Sequence, residues 1–181
     1  IRVELVNARN EKMWGEQYNR KDADLQAIQG EIARTILEKL RLKLTGAQEQ
    51  QLTKPATQNP EAYQLFLNGE FFHRKGRIED ERKALDYYNR AIALDPNFAL
   101  TYVGVAEEYD YFAGTSLFDP KDALAKAKAA VHKALELDET LAQAHTMLGV
   151  IKLEEWDWAD AESEFKRALE LNPNLARAHG V

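Results

Sequence analysis

Residues 142–175, AQAHTMLGVIKLEEWDWADAESEFKRALELNPNL, decide how this chain folds. The stretch is written as two amphipathic helices joined by a short turn. Leu148 and Gly149 fall on the first helix, Ala161, Phe165 and Ala168 on the second, and Pro173 stands just past its end. Gly149 and Ala161 carry almost no side chain, so two antiparallel helices can approach closely there. Leu148 and Phe165 fill the remaining space, and Pro173 cannot continue a helix because it lacks an N–H and clashes one turn back. A hairpin this thin cannot bury its own apolar face and calls for a neighbour to stack on.

The neighbours are written on both sides. Over residues 62–97, Leu65, Gly69 and Phe72 are followed by Ala84, Tyr88, Ala91 and Pro96. Gly69 and Ala84 stand three residues further apart than Gly149 and Ala161, which predicts a stretched turn at Lys75-Gly76-Arg77. Over residues 99–140, Tyr102, Ala106 and Tyr109 are followed by Ala127, Val131 and Ala134, with Glu139 where proline would stand. Here nine residues are inserted, roughly Tyr111 to Lys121, and Asp119-Pro120 restarts the second helix. Residues 176–181 read as the opening of a fourth unit. A 34-residue helical hairpin with these small and large positions resembles the tetratricopeptide repeat (TPR). The expected fold is mainly α: a TPR α-α superhelix of about three repeats over 59–181, behind a small N-terminal α+β piece over 1–52 and a linker at 53–58.

The N-terminal piece has a different rhythm. Ile1, Val3 and Leu5 alternate with Arg2 and Glu4, and Lys12 to Asn19 resumes after turn-forming residues, which together read as a β-hairpin. From Leu25 the period changes, and Leu25, Ile28, Ile32, Ile36 and Leu40 form one stripe of a long helix ended near Gly46. A short helix over 45–52 follows. The chain begins at Ile1 in strand-like sequence, and we read it as a piece of a longer polypeptide. Two strands alone are marginal in water, so the hairpin calls for more sheet than these residues supply.

The run Trp14-Gly-Glu-Gln-Tyr18, Ile28-Gln29 and the long helix resemble the end of the TolB-amino-terminal-like (FlgO-like) domain of bacteria. Asn59-Pro-Glu-Ala-Tyr63, Leu67-Asn-Gly69, the run from Ala91 to Ala99, Ala142-Gln-Ala-His145 and Trp156-Asp-Trp158 are similar to the TPR segment that follows that domain. The resemblance implies a bacterial multidomain signalling protein with a serine/threonine kinase, a class III nucleotide cyclase or a winged-helix domain at its amino end. On that reading the parent could be an enzyme, while this chain is a non-catalytic scaffold or docking region. In such architectures a membrane span elsewhere decides the compartment, cytoplasmic or periplasmic.

Composition narrows the chemistry. A net charge of −6 argues against a nucleic-acid groove, which needs clustered Lys and Arg. No apolar run reaches the ~20 residues of a membrane span. Cysteine is absent, which removes disulfides, thiol catalysis and cysteine-ligated zinc. The nine glycines fall in no phosphate-cradling pattern, and neither Ser116 nor Ser163 lies in a nucleophile elbow. No catalytic residue and no cofactor is expected. His145 and His179 occupy equivalent positions in consecutive units, which points to helix packing, and neither has a carboxylate or histidine partner one helical turn away.

The acidic run Glu154 to Asp160 spans a turn, where Asp157 is placed to cap the next helix and Trp156 and Trp158 to cover the hairpin end. Tyr109, Tyr111, Phe112, Leu117 and Phe118 in the second insertion are expected to roof the alanine-rich helix beside them. Packing positions are Gly69, Ala84, Ala91, Ala106, Ala127, Ala134, Leu148, Gly149, Ala161, Phe165 and Ala168. The first helices of the hairpins would line a partner groove with Tyr63, Phe66, Glu70, His73, Leu100, Val103, Glu107, Asp110, Gln143, Thr146, Val150 and Leu153. That set is apolar and acidic, with no Lys/Asn carboxylate clamp. It fits a protein segment that is apolar with basic flanks. Self-association into a homodimer through Phe165 and Leu169 is the alternative.

Overall fold

The structure is a computed structural model and describes residues 2–6, 9, 12–17, 25–40, 55–115, 118–175 and 178. The chain divides into two compact units, Ile1–Pro60 and Glu61–Val181. In the first, β1 (Arg2–Val6) pairs antiparallel with β2 (Lys12–Gln17), Arg2 opposite Gln17 and Leu5 opposite Trp14, with a register shift between Leu5 and Val6. Lys12 reaches Glu4 at 2.9 Å on the exposed face. Helix α1 runs Leu25–Leu40 and buries Ile28 from its apolar stripe. The short helix expected at 45–52 lies outside the described residues.

Among the described residues, the second unit holds six helices in three hairpins: α2 (Pro60–His73) with α3 (Ile78–Leu94), α4 (Ala99–Ala113) with α5 (Pro120–Leu137), and α6 (Ala142–Glu154) with α7 (Trp158–Leu171). Small residues sit where the helices meet. Ala84, Ala91, Ala106, Ala127, Ala134, Ala161 and Ala168 are all fully buried, Gly69, Gly149 and Leu148 are buried, and Phe165 is half-buried. The Phe165 ring lies against Gly149, where a β-carbon would stand 2.7 Å from it. Tyr88, the equivalent residue in the first hairpin, is wedged between two glycines, Gly69 of its own hairpin and Gly104 of the next. Gly104 has no counterpart among the expected packing positions.

The stretched turn is not where the extra residues go. The connection between α2 and α3 is 74–77, closed by Gly76 at φ +63°, while α3 is 17 residues long against 14 for α7. The added residues extend α3 at its start, where Asp80 and Glu81 both donate their backbone N–H to the Arg77 carbonyl. A helix satisfies those backbone groups better than a longer loop does. The second insertion behaves similarly. Tyr111 to Ala113 continue α4, and α5 starts at Pro120 with Asp119 accepting from the N–H groups of Lys121 and Asp122. Phe112 is fully buried and stacked on Phe118 at 4.8 Å, so these two rings do fill the end of the hairpin. Leu117 lies outside the described residues.

All three second helices stop in one way, and proline is not the cause. Asp95, Asp138 and Asn172 are extended (φ near −145°) and donate their N–H to Ala91, Ala134 and Ala168, keeping the last helical bond. Each side-chain oxygen then accepts from the N–H two residues on, at 3.0, 3.0 and 3.1 Å. These Asx turns end the helix equally where Pro96 or Pro173 follows and where Glu139 does. The extended Asp138 suits a following proline. Glu139→Pro therefore raises stability by about 0.4–1 kcal/mol through the unfolded chain, readable in urea denaturation.

Candidate functional site

The residues read as a groove separate into two groups. Tyr63, Phe66, Val103 and Thr146 are buried and cannot present their side chains to a partner. Tyr63 and Phe66 belong to an aromatic cluster with Phe98 and Tyr88, at centroid distances of 5.2–6.3 Å, which joins the first hairpin to the start of the second. Thr146 turns its hydroxyl back to the Ala142 carbonyl. Gln143 is exposed, and Glu70, His73, Leu100, Glu107, Asp110, Val150 and Leu153 keep part of their surface in water. Glu70 accepts the Tyr88 hydroxyl at 2.8 Å. Burial, then the Glu70 carboxylate, keeps that phenol protonated by raising its pKa.

Three of the partly exposed residues are acidic. They are Glu70, Glu107 and Asp110, and burial together with the charge of Asp110 pushes the Glu154 carboxyl up to about 7. A cation brought beside Asp110 and Glu154 would relieve that repulsion.

The structure also forms a cluster that the sequence did not announce. His73 Nδ1 stands 2.9 Å from Glu108 Oε1 and 3.2 Å from Glu81 Oε2. The three side chains come from α2, α3 and α4, so the cluster ties the first hairpin to the second. Glu108 is fully buried and Glu81 nearly so, whereas a third of the His73 side chain is exposed. The hydrogen bond to Glu108 is the main force raising His73, to about 9, against the opposing effect of burial. Burial pushes Glu108 up as well. Both shifts mean that the folded cluster holds more protons near neutrality than the separated side chains would. The signal in the sequence was the stripe Thr101, Val105, Glu108 and Phe112, one buried helix face that includes the carboxylate.

His145 is held by Glu164 at 2.6 Å and by the Glu139 carbonyl at 3.0 Å, a packing arrangement. His179 lies outside the described residues. Asp157 accepts the Asp160 N–H as the cap of α7, and Lys152 bridges both carboxylates at 3.1 and 2.9 Å. The tryptophans do not cover the hairpin end. Trp156 is 76% exposed and Trp158 59%, packed edge to face on each other at 5.6 Å. Trp156 also adopts φ +63°, a conformation costly for a bulky side chain. Trp156→Gly relieves that strain and loses little burial. Stability should stay level or rise by up to about 1 kcal/mol in thermal unfolding, despite the added chain entropy.

No family model matches the chain. It is 27% identical over 143 residues to a putative adenylate cyclase 3 of Rhizobium meliloti, a match taking in 76% of this chain and 24% of the cyclase. It is 33% identical over 92 residues to the transcriptional regulator HilA of Salmonella typhimurium, over 51% of this chain and 17% of the regulator. The chain therefore spans less than a quarter of the length of either relative. Among solved structures, the TPR domain of Sgt2 from Aspergillus fumigatus superposes at a TM-score of 0.55 with 18% identity, over 68% of this chain and 76% of that one. The first TPR domain of human RPAP3 gives 0.55 with 21% identity, over 66% and 84%. The first TPR of Spaghetti (RPAP3) bound to the HSP90 peptide SRMEEVD gives 0.52 with 21% identity, over 66% and 85%. What these structures share with residues 60–171 is the fold, which is a tetratricopeptide α-α superhelix of three hairpins.

Proposed function

We propose that this chain is a non-catalytic docking region of a larger bacterial signalling protein, and that the first-helix face of its repeats takes a partner segment that is apolar with basic flanks. The acidity of the accessible face carries the reading: Glu70, Glu107, Asp110 and Glu154 gather on it, and their carboxylates repel an acidic segment. The RPAP3 domain bound to SRMEEVD supports the general role of such a fold in holding a peptide. The charge here favours the opposite class of peptide. The cyclase and the regulator support a parent in which this region accompanies an output domain, a cyclase or a transcription-regulating one. The TolB-like reading of residues 1–52 belongs to the same proposal.

Fluorescence anisotropy with two labelled model peptides tests it, one apolar with flanking lysines and one apolar with flanking glutamates. The basic peptide should bind, and Glu107→Lys should weaken it about tenfold at low salt, with less effect as salt screens the charge. Glu162→Lys, on α7 and fully exposed, is the control. Equal binding of both peptides, or a Glu107→Lys chain that binds as well as the parent, overturns the reading. Sedimentation showing a concentration-dependent dimer with the face occluded would instead favour self-association.

A further inference from the structure

We infer that His73, Glu81 and Glu108 form a binding site for a divalent transition-metal ion, with zinc the best match to the donor set. The three ligand atoms lie within 4.8 Å of one another. Two separations are set by hydrogen-bond contacts, 2.9 and 3.2 Å. In a tetrahedral zinc site with metal–ligand bonds of about 2.0–2.1 Å, neighbouring ligand atoms stand about 3.3 Å apart, so an ion fits with small movements. One imidazole nitrogen with two carboxylate oxygens is a donor set zinc accepts, more readily than the all-oxygen shells of calcium and magnesium.

The cluster also lacks donors. Two buried carboxylates offer about four acceptor positions, and a single imidazole N–H is shared between them. Glu108 Oε2 is buried and receives no hydrogen bond from any described residue. Two ionised carboxylates with a neutral imidazole sum to a charge that a divalent cation cancels. A divalent cation supplies what is missing, and the exposed edge of His73 leaves it a route from solvent and a coordination position for water.

Nor does repeat packing require these residues. Counted from the small residues of each hairpin, the same positions at the junction of the second and third hairpins are Asp110, Leu124 and Ile151. Ile151 fills the place of Glu108 and is fully buried. An aliphatic side chain therefore packs there, and replacing buried ion pairs by apolar groups is often neutral or stabilising. A metal ion held by α2, α3 and α4 would fix the first hairpin against the second, in a way that no other junction of the stack repeats among the described residues.

The test uses the full 181-residue chain, stripped with chelator and titrated with ZnCl2 in a non-coordinating buffer. Calorimetry should give one equivalent bound, and the thermal midpoint should rise by several degrees with zinc over chelator. Co2+ in place of zinc should develop visible absorption bands from direct coordination. Glu108→Gln keeps the side-chain shape and a hydrogen bond to His73, and should lower affinity at least ~100-fold while its circular dichroism stays unchanged. Glu108→Ile, copying the second junction, is a further folded control that should not bind. No saturable binding by the parent chain overturns the site. So does binding that both Glu108 variants retain, since the ion would then lie elsewhere.

Discussion

Tyr88→Ala lowers the unfolding free energy of the repeat region by about 3–5 kcal/mol, the range for deleting a buried aromatic ring. That is a large share of the ~5–15 kcal/mol available to a domain of this size. The ring is fully buried and fills the space left by Gly69 and Gly104, and its hydroxyl binds Glu70. Neither glycine has a side chain to relax into the cavity, so the void persists. The damage should be local, because repeat stacks communicate mainly through nearest neighbours. Urea denaturation followed by circular dichroism should therefore split into two transitions, with α6 and α7 melting last. A single unshifted transition would mean that the ring is not the wedge the geometry implies. Tyr88→Phe removes only the hydroxyl and should cost about 1 kcal/mol.

His73→Ala is the second large loss, about 2–3 kcal/mol near pH 7.5 in the presence of chelator. Breaking a buried pair usually costs about 3–5 kcal/mol, and the partial exposure of His73 discounts it. The pH dependence identifies the cause. His73 is raised in the folded state, so its contribution is complete below its unfolded value near 6.5 and disappears as pH rises through about 9. In the variant, Glu81 and Glu108 face each other without a cation. The difference between parent and variant should thus be largest below about pH 6.5 and shrink as pH rises toward about 9, in denaturant titrations at several pH values. A penalty independent of pH would assign the loss to packing alone.

What the sequence made legible follows from what a repeat repeats. Gly149, Ala161, Ala84 and Ala127 are readable because a close helix crossing tolerates only small residues, wherever it occurs. Asp119-Pro120 is readable because its cap is made within three residues. Glu107 and Glu108 show where that legibility ends. Side by side, both look like solvated acids, and only the placement of neighbouring helices decides that Glu108 turns inward. The Asx stops are written as Asp95, Asp138 and Asn172, and more conspicuous prolines stand beside two of them. The Trp156 and Trp158 pair departs from the expected packing for a related reason. Large aromatics normally seek cover, and the left-handed backbone at Trp156 places it in a turn where no described neighbour beyond Trp158 stacks on its ring.

That exposed pair has a practical consequence for anyone who studies this molecule by light. The chain has three tryptophans, Trp14, Trp156 and Trp158, and none is buried. The aromatic cluster between the first two hairpins is built of phenylalanine and tyrosine, so its unfolding should barely change the colour of tryptophan emission. Anything that settles on the corner between α6 and α7 should shift that emission to the blue. The tryptophans of this protein therefore watch its periphery, and report who arrives there before they report whether the core is intact.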